Sequence, residues 1–133
     1  PEGAEMVVGE IAPFLEARAP DPMSAVVIVT RGHRSDHEAL TAALATHAGY
    51  VGMIGSPSKV RNIFTALAKT GVSDATLARI HAPIGLDLGG QTPDEIALSI
   101  AAELVAWRHG GSAQPLHTRH HLLTKEPAKT ATG

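Results

Sequence analysis

The stretch Ala25-Val26-Val27-Ile28-Val29 constrains this chain more than any other. It is five aliphatic residues, four of them β-branched, with no alternation of polar and apolar positions. β-Branched side chains favour extended backbone, and a strand without alternation needs cover on both faces. Parallel sheets between two helical layers provide that cover, so the run reads as a central strand of an α/β domain.

The neighbouring segments alternate in the same sense. Glu5-Met6-Val7-Val8, closed by Gly9, reads as a strand, and Ile11, Phe14 and Leu15 follow at helical spacing before the breaker Ala19-Pro20-Asp21-Pro22. After the central strand, Thr30-Arg31-Gly32-His33-Arg34 forms a loop. Ser35 and Glu38 then predict a capping box for a helix that carries Leu40, Ala43 and Leu44 and ends near Gly49. Tyr50-Val51-Gly52-Met53-Ile54 reads as the next strand, stopped at Gly55-Ser56. Ser56 caps a helix with Pro57 at its first position, Val60, Ile63, Phe64 and Leu67 form its apolar stripe, and Gly71 supplies a left-handed stop. Ser73 to Ile80 reads as a short capped helix, and His81 to Gly90 as a loop with at most a brief strand. Thr92-Pro93-Asp94-Glu95 predicts a helix from Pro93 to about Arg108, with Ile96, Ile100, Leu104 and Trp107 facing inward.

Short connections between such elements imply right-handed βαβ units and a parallel sheet of three strands, with ligand-facing loops at the carboxyl ends. Residues 1–109 are expected to form the domain and residues 110–133, which are polar and aperiodic, a mobile tail. Pro1-Glu2-Gly3-Ala4 reads as a loop leading into a strand, so further sequence is expected upstream. A small sheet with an unpaired edge calls for that upstream half, a second copy in a homo-oligomer, or both.

Composition excludes several function classes. Aromatic residues make up 3% of the chain and the net charge is -2, which argues against a nucleic-acid surface. No apolar stretch approaches the roughly 18 residues of a membrane span, and no signal segment opens the chain, so a cytoplasmic protein with no membrane partner is expected. With no cysteine, the chain offers neither a disulfide nor a thiolate, and it has no residue to carry a persulfide.

Two stretches resemble the XdhC/CoxI family of xanthine dehydrogenase accessory proteins. One is Tyr50-Val51-Gly52-Met53-Ile54-Gly55-Ser56. The other is Ile80-His81-Ala82-Pro83-Ile84-Gly85-Leu86-Asp87-Leu88-Gly89-Gly90, continuing into Thr92-Pro93-Asp94-Glu95-Ile96-Ala97. The likeness runs from about Val8 to Trp107 and implies the C-terminal half of a Rossmann-type domain. It implies an accessory or chaperone protein that holds molybdenum cofactor (molybdopterin) as cargo, for sulfuration and insertion into a xanthine dehydrogenase-type molybdoenzyme. A cysteine desulfurase would be the source of sulfur. The alternative is a fragment of an NAD(P)-binding oxidoreductase, although no G-x-G-x-x-G follows a strand here.

The residues offer three groups of candidate cofactor contacts. Thr30, Gly32, His33 and Asp36 follow the Ala25 to Val29 strand, where open α/β sheets carry ligand contacts; turn geometry explains the same residues. Gly55 and Ser56 place a helix start at a strand's carboxyl end, suited to a phosphate, and ordinary capping explains them equally well. Lys59 and Arg61 can complete an anion site there or serve as solvated surface charge. His81 and Asp87 flank Pro83-Ile84-Gly85, as a histidine and a carboxylate able to fix its tautomer, or as groups that only satisfy backbone. His117, His120 and His121 have no accompanying carboxylates, so no metal is assigned; no catalytic residue stands out.

Overall fold

The computed structural model describes residues 3–117. Eight elements follow in the order α1 (Ile11–Arg18), β1 (Ala25–Ile28), α2 (His33–Leu44), β2 (Tyr50–Met53), α3 (Pro57–Lys69), α4 (Asp74–Leu77), β3 (Ile80–His81) and α5 (Pro93–His109). The three strands form one parallel sheet in the order β1-β2-β3. Ala25 pairs with Tyr50 and Ile28 with Met53, while Val51 pairs with Ile80 and Gly52 with His81.

The pleat of β2 sorts its side chains between two layers. Val51 and Met53 join Leu40, Ala43, Val60, Ile63 and Leu67, from α2 and α3, in the main core. Tyr50 and Gly52 face the other way: Tyr50 meets Trp107 and Glu103 of α5, and Gly52 lies under Ile84. Helices thus cover both faces, and the expected Rossmann-like three-layer α/β architecture is the one found.

Local signals placed most helices. Ser56 accepts from the Lys59 N–H with Pro57 at the first helical position, and Ser73 caps α4 in the same way. The capping box of Thr92 and Glu95 is complete, and Gly110 closes α5 in the left-handed region. Gly71, at φ +99°, follows α3 as expected.

Other expectations are corrected. The run Ala25 to Val29 is an edge strand of the described sheet, because β1 pairs only with β2. The central position belongs to β2, buried at all four residues. Glu5 to Val8 is not a strand: it finds no ladder partner among the described residues, and Met6, Val7 and Val8 are exposed. The third strand is Ile80–His81, so the short helix before it ends at Leu77, and α2 likewise stops at Leu44, short of Gly49. The box at Ser35 does not form, because Gly32 at φ +89° starts the helix one turn earlier and leaves Ser35 inside it. Along the outer edge of β1 runs an open groove of about 800 Å³, lined by Met6, Val7, Ile11, Phe14 and Val26 to Thr30 among others.

Candidate functional site

In a parallel sheet the backbone enters each strand from the same end, so the loops after β1, β2 and β3 gather on one rim. Thr30 leaves β1, Gly55 and Ser56 leave β2, and the segment from Ala82 to Gly90 leaves β3. The rim is therefore set by strand direction, and its contents by which side chains turn inward.

Asp36 turns inward completely. It sits in the first turns of α2, is 0% exposed, and accepts a hydrogen bond from the Thr30 hydroxyl at Oδ1. Lys59, one turn into α3, brings its Nζ to 2.7 Å from Asp36 Oδ2. At that distance the ammonium and the carboxylate form a close ion pair. Three of the rim's segments thereby meet around the buried Asp36: the end of β1, the start of α2 and the start of α3.

Gly55 lies beneath the Lys59 stem, where an added Cβ would meet Cδ at 3.2 Å. The start of α3 next to it is less rich in donors than a bare helix terminus. Pro57 has no N–H and Ser56 already takes the Lys59 N–H, which leaves the Ser58 N–H without a partner inside the helix. On the other side of Gly55 opens a cleft of about 360 Å³, walled by Ile54, Pro83, Ile84 and Ile96 and edged by Asp87, Gly90 and Gln91. Glu95 borders this cleft, but its carboxylate is committed to the N–H groups of Thr92 and Gln91. Those bonds, Thr92 first, hold its carboxyl below the usual carboxylate range.

The candidate residues from sequence thus divide. Thr30 and Asp36 are joined to each other and, through Lys59, to Gly55 and Ser56. Gly32 is the cap of α2 and His33 its first residue. Asp87 is exposed on the cleft's edge. His81 is elsewhere: it stacks on Tyr50 with ring centroids 4.3 Å apart, and its Nδ1 stands 3.0 Å from Glu103 Oε2. The carboxylate beside His81 is therefore Glu103 and not Asp87. Glu103 also accepts from the Tyr50 hydroxyl at 3.1 Å and from the Gly85 N–H at 2.7 Å, which makes it the anchor between α5 and the sheet.

Sequence reading passed over Glu103 and treated Lys59 as a surface charge in one of its two readings. A signal existed for Glu103, which lies three residues beyond Ile100 and four before Trp107 on the inner face of α5. Among the described residues, no group of three or more His, Cys, Asp or Glu is placed to hold a metal ion. His120 and His121 lie outside the described residues, as does most of the segment read as a tail. No helix of the described residues is long and apolar enough to cross a membrane.

Comparison with known proteins agrees with this fold. A family model described as the XdhC Rossmann domain matches residues 3–104. The uncharacterized protein YqeB of Escherichia coli strain K12 is 33% identical over 106 residues, covering 77% of this chain and 19% of YqeB. A protein of Bacillus subtilis strain 168, described as a probable subunit of xanthine dehydrogenase, is 24% identical over 87 residues, 65% of this chain and 24% of that protein. A crystal structure of a xanthine dehydrogenase from Bacillus halodurans matches with a TM-score of 0.64 and 30% identity, over 78% of this chain and 30% of that one. The chain thus spans less than a third of the length of each of these relatives.

Proposed function

The chain belongs to the XdhC Rossmann-domain family, and from that premise we propose that it serves the maturation of xanthine dehydrogenase-type molybdoenzymes by holding molybdenum cofactor at the carboxyl rim of its sheet. The observation that carries the reading is the junction of Gly55, Ser56 and Pro57. There the positive end of a 13-residue helix, with the free Ser58 N–H, begins directly after Gly55, which lines a cleft of about 360 Å³. A helix start of this kind favours a phosphate, and the pterin of the cofactor carries one. The apolar walls of Ile54, Pro83, Ile84 and Ile96 suit a flat ring, and Asp87 and Gln91 can orient its polar edge.

The client in this reading is a xanthine dehydrogenase-type enzyme, in keeping with the names of two of the relatives. Sulfur would come from a cysteine desulfurase acting on the held cofactor, since this chain has no thiol of its own to relay it. Its role is then to hold and present, with no covalent step on its own residues. A nicotinamide dinucleotide is the rival occupant, favoured by the parallel sheet with ligand loops on one rim.

Measuring molybdenum and pterin content of the purified protein tests the proposal, with the variant Gly55→Asp beside it. The variant places a carboxylate at the helix start and crowds the Lys59 stem, so it is expected to retain less cofactor. Equal retention by both proteins removes the anion site. Titration with NAD(H) and NADP(H) decides the rival: saturable dinucleotide binding without retained cofactor would replace the reading.

A further inference from the structure

The cleft beside Gly55 has a composition that decides what it can take. Its walls are aliphatic, from Ile54, Pro83, Ile84, Leu86 and Ile96, and its charged side chains are the carboxylates of Asp87 and Glu95. Among the described residues no Lys, Arg or His lines it. A negative group would enter against like charges with no partner, so the cleft favours a neutral ring that brings hydrogen-bond donors.

The two carboxylates are not equivalent. Glu95 holds the N–H groups of Gln91 and Thr92 at 3.0 and 3.1 Å through Oε1, and so belongs to the start of α5. Asp87 carries no such commitment among the described residues. The segment around it is fixed on both sides. The Gly85 N–H donates to Glu103 Oε1 at 2.7 Å, the Leu86 N–H to the Ser99 carbonyl at 3.2 Å, and the Gln91 N–H to Glu95. Gly90 closes against α5, where an added Cβ would stand 2.6 Å from Glu95 Cβ. The acceptor is thus presented before a ligand arrives, which lowers the ordering cost of binding. Leu88, the next residue, is 53% exposed at the same cleft, an apolar side chain that a flat ring can cover.

A carboxylate pairs best with two parallel N–H donors, as it does with a guanidinium. Among flat neutral heterocycles the aminopyrimidinone edge has that pattern, a ring N–H beside an amino group. Adenine sets its amino group beside an acceptor nitrogen instead, and a nicotinamide offers one amide group. We propose that the cleft recognises an aminopyrimidinone ring, the ring of a pterin or of a guanine, with Asp87 accepting from its ring N–H and its amino group. The proposal rests on the reading that this cleft seats a ring of the ligand, and adds the residue that selects it.

The test is a titration of free pterin, guanosine, adenosine and nicotinamide riboside, at fixed pH and ionic strength, into the unaltered chain, Asp87→Asn and Asp94→Asn. Asp94 is an exposed carboxylate in the first turn of α5, outside the cleft lining, and controls for net charge. Pterin or guanosine is expected to bind saturably, with adenosine and nicotinamide riboside roughly tenfold weaker or worse. Asp87→Asn is expected to lose roughly tenfold in affinity for the preferred ring, and Asp94→Asn to lose none. Equal binding of all four compounds, no saturable binding of either pterin or guanosine, or unchanged affinity in Asp87→Asn overturns the proposal. If Asp87→Asn fails to fold, the Leu88 methyl and Gly90 amide signals of the unaltered chain are followed by nuclear magnetic resonance as pterin and guanosine are added. Signals that stay in place at both residues overturn the proposal equally. Tighter binding of pterin than of guanosine assigns the ring to a pterin, and the reverse assigns it to a guanine nucleotide; either supports the recognition by Asp87. Failure here is distinct from failure of the cofactor reading. Molybdenum cofactor retained equally by the unaltered chain and Asp87→Asn defeats only the selecting residue, and ring selectivity with no cofactor retained defeats only the cargo.

Discussion

The Tyr50 hydroxyl donates to Glu103 Oε2 at 3.1 Å, joining residues 53 apart in sequence and fastening the last helix to the central strand. The bond lies beside a stack with His81 and a tilted contact with Trp107, so one residue of β2 touches β3 and α5 together. Several measurable consequences rest on this contact and on the packing around it.

Burial, with the nearby Glu103 carboxylate adding to it, pushes the Tyr50 hydroxyl well above the usual tyrosine range. Tyr50 is the chain's one tyrosine, so its ultraviolet titration reads this site alone. The raised value means that the fold holds the proton more tightly than the unfolded chain does. The associated stability is whole below about pH 10 and is lost as pH rises above it. Tyrosinate is expected to appear only above about pH 10 and together with unfolding; a midpoint at the ordinary value with the fold intact would contradict the burial argument.

Replacing Glu103 by Leu leaves the Tyr50 hydroxyl and the Gly85 N–H without acceptors. Strandings of this kind cost about 1–3 kcal/mol each when the group is buried, and Tyr50 is. Urea unfolding followed by the fluorescence of Trp107, the one tryptophan, should show a loss in that range or above. An unchanged midpoint would mean that α5 is held by its apolar contacts alone.

Gly49 and Gly52 should differ in their tolerance of a methyl group. At Gly49 an added Cβ would stand 1.9 Å from the carbonyl oxygen of Pro22, which is backbone. At Gly52 the nearest atom is Ile84 Cδ1 at 2.5 Å, the free tip of a side chain, with the Tyr50 ring at 2.9 Å. Overpacking a core costs about 1–3 kcal/mol, so Gly52→Ala is expected within that range and Gly49→Ala beyond it. The order of the two midpoints in urea checks the claim.

Glu95 titrates below the ordinary carboxylate range because the Thr92 and Gln91 N–H groups bond its charged form. Its contribution is present above the unfolded value of about 4.3 and fades as pH falls through the lower folded one. Amide exchange at Gln91 and Thr92 is expected to accelerate in that acid window. In Glu95→Gln the acceleration should be absent, since no proton is taken up there.

Much of the fold can be read along the chain because its signals are local. Ser56 with Pro57, Ser73, and Thr92 with Glu95 each start a helix through contacts within four residues, and those helices begin where the pattern places them. The pattern does not mark Gly32 as the cap of α2, because the Ser35 and Glu38 pair offers a competing start and the positive φ that favours glycine at residue 32 is not visible in a pattern. Thr30, Asp36, Gly55 and Ser56 were legible as rim residues from strand direction alone.

Sequence by itself determined the helices after β1, the strands at Ala25 and Tyr50, the parallel sense of the sheet and the rim on which its loops gather, since each follows from side-chain branching, periodicity and short connections. Tertiary structure alone decided that Val26 and Val27 lie at the edge, that Glu103 rather than Asp87 serves His81, and that Lys59 reaches Asp36. The reason is physical: a side chain's partner across two elements depends on strand order and on the rotation of a helix about its axis. Both are settled by the packing of the whole core, and no short stretch of sequence contains either.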